Sequence, residues 1–143
     1  MEETKKLLLA VCTGNTCRSP MAAAVLNRIL TEKGLPYRAE SAGIAAFNGQ
    51  AASVNAIEAA KTAGLDLSGH RSRRLTPELL GEAERIFVMT EEHREFLSAF
   101  PGVTEKLTVL DVPDPYGQDL TAYRNCLRAL ESRLTRYLEE HPL

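Results

Sequence analysis

The sequence contains no tryptophan, only three cysteines and no long apolar run. Every apolar stretch is shorter than the roughly 18 residues that a membrane-spanning helix requires, so we expect no membrane contact. The apolar run that follows Lys5 and Lys6 is too short for a signal peptide and predicts a first strand instead. A small, odd number of cysteines argues against a disulfide framework and favours a reducing, cytoplasmic location.

Basic residues are not in excess either. The formal net charge is -2, whereas nucleic-acid-binding domains normally carry a basic face, so we expect no nucleic acid partner. Hydrophobic residues make up 44% and charged residues 25% of the 143 positions, values typical of a folded globular protein. A chain of this length is expected to form one domain, residues 1–143.

A short loop between a predicted strand and a predicted helix carries the strongest chemical signal. Residues 7–11 are all apolar, as in a parallel strand that is buried on both faces. Ser19 is a suitable N-cap and Pro20 a suitable first helical residue, which predicts a helix from Pro20 onwards. Backbone N–H groups and the positive end of that helix then face the interior of loop 12–19, so the loop can hold an anion.

Three side chains of this loop fit covalent chemistry on a phosphate group. A helix N-terminus and a nearby cation favour the thiolate form of Cys12, which makes it a nucleophile. Arg18 presents a planar fork that can bind two phosphate oxygens at once. Ser19 can donate its hydroxyl to the departing sulfur. The loop therefore predicts phosphoryl transfer to sulfur.

Strands and helices alternate along the rest of the chain. The remaining strands are predicted at 37–40, 86–89 and 107–110, with helices between them and a final helix marked by an apolar stripe of Leu120, Tyr123, Leu127, Leu130, Leu134 and Leu138. This order predicts an α/β fold, a doubly wound domain with a four-stranded parallel sheet and helices on both faces. On the shorter helices, Phe96 and Leu97 are expected to face inward, and Val54, Ile57 and the aliphatic stem of Lys61 to lie on neighbouring turns.

Asp114 follows the fourth predicted strand and is the candidate general acid. Loops after parallel strands meet at one edge of the sheet, so Asp114 and Cys12 are expected to share a site. Pro115 lacks an N–H and would limit stabilisation of the ionised carboxylate. The pattern alone favours an Asp-Pro turn, and the presence of Cys12 and Arg18 reverses that choice.

Four motifs in this order resemble the low-molecular-weight protein tyrosine phosphatases: Cys-x5-Arg-Ser at 12–19, Ser-Ala-Gly at 41–43, His-Arg-Ser-Arg at 70–73 and Asp-Pro-Tyr-Gly at 114–117. The resemblance implies a phosphorylated protein substrate, no cofactor and no metal. It implies catalysis by Cys12, Arg18 and Asp114. It also implies a phosphate-binding loop that includes Thr13, Gly14, Asn15, Thr16, Cys17 and Ser19. Asn15 is expected to pin this loop in a left-handed backbone conformation, with His70 as its hydrogen-bond partner.

Two further residues, Cys17 and Phe47, have two interpretations each. Cys17 is either a plain buried thiol or, as the resemblance implies, a thiol that bridges to Cys12 under oxidation. Phe47 is either a plug in the core or a wall of the substrate pocket, and Tyr116 is a second candidate for such a wall. Cys126, in the final helix, is expected to pack in the core.

Thr16 bears on the choice of substrate. Tyrosine phosphatases of this family usually carry a larger aliphatic residue there, whereas the loop of this chain is similar to that of bacterial protein-arginine phosphatases, as are segments 64–72 and 88–93. Thr is stiff and its hydroxyl can orient a polar group. We therefore expect phosphoarginine as substrate and phosphotyrosine as the alternative, with Tyr116 and Phe47 as apolar walls. An arsenate reductase would need a resolving pair of cysteines, and an oxyanion-binding module without catalysis is the remaining alternative.

Overall fold

A computed structural model of the chain describes residues 5–143. The elements are β1 (Lys6–Cys12), α1 (Arg18–Lys33), β2 (Tyr37–Gly43), α2 (Val54–Thr62), α3 (Pro77–Glu82), β3 (Ala83–Val88), α4 (Glu91–Leu97), β4 (Leu107–Val109) and α5 (Leu120–Glu140). The four strands pair in parallel in the order β2-β1-β3-β4. The predicted α/β class and parallel sheet are confirmed.

Helices cover both faces of the sheet, as predicted. Leu8 and Ala10 of β1 belong to the core that contains the buried sides of α1, α2 and α5. Leu7 and Leu9 point the other way, into a second core that contains Leu97 of α4. Such two-sided burial explains why β1 is continuously apolar rather than alternating.

The strand order places the site-bearing loops together. The chain leaves β1 towards β2 on one side and returns to β3 on the other, so a crevice opens beyond the carboxyl end of β1. After β4 the chain continues beside β3. Leu110 N–H donates to the Val88 carbonyl at 2.8 Å, and Val112 N–H donates to the Met89 carbonyl at 2.9 Å. This segment brings Asp114 to the same edge of the sheet.

The start of α1 differs from the prediction. The helix begins at Arg18 rather than Pro20, and among residues 5–143 its N-cap, Cys17, makes no side-chain capping bond. Ser19 therefore lies inside the first turn, and its hydroxyl contacts Cys12 instead of capping the helix. Elsewhere, β2 runs on to Gly43 and β3 begins at Ala83, so both strands are longer than predicted.

The shorter helices do not all bury their larger apolar residues, and the expectation that Phe96 faces the core is wrong. Val54 is 74% exposed, because α2 packs through its small residues Ala56, Ala59 and Ala60. Phe96 is 51% exposed and contacts Phe100 at the surface, whereas Leu97 is fully buried as predicted. The stripe of α5 is buried apart from Leu120, which is half-buried. Within residues 5–143, the structure contains no helix with the length and apolar character of a membrane span.

Candidate active site

Loop 12–19 forms one side of a cavity at the carboxyl edge of the sheet. The cavity has a volume of about 220 Å³ and is lined by Cys12, Thr13, Gly14, Thr16, Cys17, Arg18, Asp114 and Tyr116. Eight positions predicted from the sequence thus surround one space, although Asp114 and Tyr116 are far from the others in the chain. Within the described part of the chain, the lining does not include Phe47.

The sulfur of Cys12 lies at the inner end of the loop and receives two polar contacts. Asn15 N–H donates to Sγ at 3.3 Å, and Ser19 Oγ lies 2.9 Å from it. Asn15 Nδ2 donates to the same Ser19 oxygen at 2.8 Å, which leaves the Ser19 proton free to point at the sulfur. Both contacts place hydrogen-bonding groups against Sγ, which is the arrangement that a sulfur leaving group needs.

Asn15 holds the loop in shape from inside. Its φ of 57° is in the left-handed region and its side chain is fully buried. Nδ2 donates to Ser19 and to Ser41 Oγ at 2.9 Å, and Oδ1 accepts from Arg73 N–H at 2.9 Å. His70 Nε2 donates to the Asn15 carbonyl at 2.7 Å. The predicted backbone conformation and the predicted contact between Asn15 and His70 are both confirmed.

Gly43, at the end of β2, packs directly against the loop backbone. A Cβ placed there would lie 2.6 Å from the Thr13 carbonyl oxygen and 2.9 Å from the Asn15 nitrogen, so only glycine fits. Ile44 N–H then donates to the Cys12 carbonyl and Ala45 N–H to that of Thr13, both at 2.9 Å. The Ser-Ala-Gly motif thus supports the loop backbone.

Arg18 and Asp114 face each other across the cavity. Arg18 is buried, Nη1 donates to the Val112 carbonyl at 2.9 Å, and Nη2 lies 3.7 Å from Asp114 Oδ2. Asp114 itself is half exposed and accepts from Tyr116 N–H at 3.0 Å. The expectation that Pro115 limits stabilisation from that side is wrong, since the next backbone N–H reaches the carboxylate. Asp114 therefore both forms a turn and faces the cavity.

His93 belongs to the site and was not predicted from the sequence. Its Nε2 lies 2.9 Å from Thr13 Oγ1, and its ring is 7% exposed. Burial lowers the pKa of His93, and the Arg18 guanidinium lowers it further. Among the described residues, Nδ1 has no hydrogen-bond partner. No local pattern reveals this residue, because it contacts the loop from α4, 80 positions further along the chain.

The other two cysteines are buried and free, as is Cys12. Cys17 Sγ lies 3.5 Å from both Ser53 Oγ and Tyr123 OH, and burial raises the pKa of that tyrosine to about 12. Burial also raises the pKa of the Cys126 thiol to about 12, in agreement with the predicted core position. Cys126 therefore offers no reactive resolving thiol of the kind an arsenate reductase needs. The bridge between Cys12 and Cys17 stays a prediction.

Two exposed aromatic rings lie on the loops around the site. Tyr116 is 73% exposed and lines the cavity, whereas Phe47 is 75% exposed, so its interpretation as a core plug is wrong. Ser72 fixes the Phe47 loop by donating its hydroxyl to the Phe47 carbonyl and by accepting from Gln50 N–H at 2.9 Å. Contact of Phe47 with substrate stays a prediction.

A buried arginine, a half-exposed carboxylate and a cysteine beneath loop N–H groups define a cysteine-based phosphatase site on a doubly wound sheet. The family model for low molecular weight phosphotyrosine protein phosphatase matches residues 7–141, and the chain belongs to that family. The protein is accordingly a protein phosphatase, a hydrolase.

Individual relatives carry two different names. A protein-arginine-phosphatase from Geobacillus stearothermophilus is 37% identical over 144 residues, with 93% of this chain and 94% of the relative covered. A probable low molecular weight protein-tyrosine-phosphatase, EpsP, from Ralstonia nicotianae is 37% identical over 133 residues, with 88% and 89% covered. A solved structure of YwlE arginine phosphatase, a cysteine-to-serine mutant with a phosphorylated active-site serine, is similar with a TM-score of 0.86 and 32% identity, covering 95% of this chain and 97% of that one.

The two buried or half-buried histidines make stability depend on pH. Burial lowers the pKa of His70 and of His93 below the ordinary value of 6.5. Below that value the unfolded chain binds protons that the folded chain resists, so the free energy of unfolding falls as the pH falls. Between about pH 7.5 and 5.5, wild type is expected to lose more of this free energy than His70→Gln, whose amide keeps a donor for Asn15. Urea titrations at each pH measure the free energy of unfolding of both proteins. If this free energy changes equally with pH in wild type and in His70→Gln, the prediction is wrong.

Proposed function

We propose that the chain hydrolyses phosphoarginine side chains of proteins through a phosphocysteine at Cys12. The observation that carries the proposal is the position of Thr16, half-buried in the cavity wall, where its hydroxyl lies 3.8 Å from Cys17 Sγ in place of a larger aliphatic side chain. A phosphoguanidinium group needs polar partners, whereas a larger aliphatic residue would suit a phenyl ring. The proposed chemistry suits a reducing, cytoplasmic setting, because it requires Cys12 to remain reduced.

In the first step the Cys12 thiolate attacks phosphorus, and an S–P bond forms as the P–N bond breaks. Arg18 and the loop N–H groups hold the three phosphoryl oxygens, where negative charge accumulates. Asp114 starts protonated and gives its proton to the departing guanidinium nitrogen. Its place in the lining of the same cavity as Cys12, within reach of a leaving atom, supports this role.

In the second step Asp114, now ionised, takes a proton from a water molecule that attacks phosphorus. The O–P bond forms, the S–P bond breaks, and inorganic phosphate leaves. Ser19 Oγ, 2.9 Å from Cys12 Sγ, donates to the sulfur as it regains its charge. The phosphorylated serine of the YwlE mutant supports covalent transfer to this loop position.

Phosphotyrosine is the second candidate substrate, and Tyr116 is the observation that favours it. Its exposed ring lines the cavity and could pack against the phenyl ring of a phosphotyrosine. The same catalytic residues would serve, with a phenolate oxygen in place of the guanidinium nitrogen as the leaving atom. The EpsP relative, named a tyrosine phosphatase, is as similar as the arginine phosphatase.

Replacing Thr16 tests the choice between the two. Wild type is expected to hydrolyse a phosphoarginine peptide with a higher kcat/KM than a phosphotyrosine peptide of the same sequence. Thr16→Ile is expected to shift that ratio by about tenfold or more towards phosphotyrosine, because it removes the hydroxyl and adds apolar volume.

Thr16→Val is the matched control, since it removes the hydroxyl while keeping the shape. If the ratio of the two kcat/KM values shifts equally in Thr16→Val and Thr16→Ile, the hydroxyl causes the effect. If it shifts only in Thr16→Ile, the added volume causes it. If neither variant changes the ratio, the proposal that Thr16 selects phosphoarginine is wrong.

A further inference from the structure

We propose that His93 is a positioning residue that acts through Thr13 on the phosphate-binding loop. The imidazole contacts neither Cys12 nor Asp114 by hydrogen bond, and its observed partner is Thr13 Oγ1 at 2.9 Å. Thr13 lines the cavity and lies between the nucleophile and Gly14. A contact that fixes Thr13 therefore fixes the backbone next to the sulfur.

Thr13 needs such a contact because its neighbour is Gly14 and because its own side chain is exposed. Gly14 has no side chain that could restrain the backbone. The Thr13 carbonyl is held from the β2 side, where it accepts from Ala45 N–H at 2.9 Å. His93 holds the Thr13 hydroxyl from α4, which packs beside β3 and β4 on the other side of β1 from β2, so the residue is fixed from two directions.

The helix that carries His93 is itself well anchored. Thr90 caps α4 by accepting from His93 N–H at 3.4 Å, which places the imidazole in the first turn. Leu97, one turn further on, is fully buried in the core under the sheet. The imidazole is therefore held in place before substrate binds.

The unpartnered ring nitrogen indicates the direction of the hydrogen bond. The charged groups that face His93 are Arg18 from α1, Glu92 from α4 and Asp114 from the segment after β4. Burial and Arg18 lower its pKa, so the ring is neutral at pH 7 and carries one proton. A buried N–H without an acceptor is rarer than a buried acceptor without a donor, so the proton belongs on Nε2. Nε2 then donates to Thr13 Oγ1, which accepts this hydrogen bond at 2.9 Å.

The experiment compares variants that keep or remove the Nε2 donor. The side-chain nitrogen of glutamine can reach the position of Nε2, whereas that of asparagine reaches only the position of Nδ1. With p-nitrophenyl phosphate as substrate, His93→Asn is expected to lower kcat/KM about tenfold, the scale of one lost hydrogen bond, and His93→Gln to restore most of that loss. Thr13→Val removes the same bond from the exposed side and is expected to match His93→Asn.

Two further measurements separate positioning from folding. The affinity for inorganic phosphate, measured as competitive inhibition, is expected to weaken in His93→Asn and Thr13→Val but not in His93→Gln. The double variant Thr13→Val with His93→Asn is expected to be no worse than either single variant, because both remove one shared contact. If His93→Asn does not fold, kcat/KM and the phosphate affinity of Thr13→Val, compared with those of wild type, test the proposal instead.

The proposal is overturned if Thr13→Val keeps full activity and phosphate affinity, or if the Gln and Asn variants lose equally. Additive losses in the double variant would also overturn it, since they would mean that the two residues act separately. A preference of wild type for phosphotyrosine would contradict the proposed substrate but would leave all these comparisons between variants in place.

Discussion

Replacing Cys12 by serine is expected to lower kcat by on the order of 10⁴-fold or more, the scale seen when a catalytic nucleophile is removed. A serine hydroxyl is not ionised near neutral pH, so the donors that stabilise a sulfur anion cannot make it an equal nucleophile. Those donors, Asn15 N–H and Ser19 Oγ, can still bond to the smaller oxygen. The fold and the affinity for inorganic phosphate are therefore expected to survive.

Steady-state kinetics measure the loss of kcat in Cys12→Ser, and competitive inhibition by phosphate measures its affinity for inorganic phosphate. Cys126→Ala is the matched control, because it removes another buried cysteine, on α5, that has no place in the proposed chemistry. It is expected to keep wild-type kcat. Turnover by Cys12→Ser within about tenfold of wild type would mean that the phosphoryl group does not pass through this residue.

Asp114→Asn is expected to give the second-largest effect, a loss of about 10² to 10⁴ in kcat. Asparagine keeps the shape and still accepts from Tyr116 N–H, but it cannot give a proton to the leaving atom. The rate of phosphocysteine formation should therefore fall strongly in Asp114→Asn when the leaving group needs a proton. It should be small for p-nitrophenolate, which departs as an anion.

Asp111→Asn provides a control on the same segment. Asp111 is exposed, its φ of 56° suits asparagine as well as aspartate, and its carbonyl accepts from Arg133. Asp111→Asn makes the same chemical change three residues away and is expected to keep wild-type activity.

Burst kinetics with p-nitrophenyl phosphate and phenyl phosphate separate the first step from the second in Asp114→Asn. An equal loss of burst rate for the two substrates would show that Asp114 is not the proton donor.

The nucleophile and its loop could be predicted because their signal is local. Cys12, Arg18 and Ser19 lie within eight consecutive positions, and the apolar run before them fixes the strand. The roles of His93 and Gly43 could not be found in that way, although Gly43 stands in the Ser-Ala-Gly motif. Their roles depend on contacts with Thr13 across the sheet, and a sequence pattern does not record which distant residues meet.

The errors in the fold have related causes. Ser19 has the chemistry of an N-cap, yet the helix starts at Arg18, two residues earlier than predicted, and the Ser19 hydroxyl contacts the sulfur. Val54 and Phe96 are apolar residues on short helices, where two turns are too few for periodicity to identify the buried face. Contacts with the rest of the core decide the orientation there. The long helix α5, with six regularly spaced apolar positions, left no such ambiguity.

Covalent capture of the phosphoryl group tests the central claim most directly. Enzyme mixed rapidly with excess substrate and denatured within one turnover is digested, and the peptide that contains Cys12 is examined by mass spectrometry. One phosphoryl group is expected on Cys12, with an initial burst of leaving-group release that equals the enzyme concentration. Release of phosphate with Cys12 unmodified at every time, or with the phosphoryl group on another residue, would contradict the account.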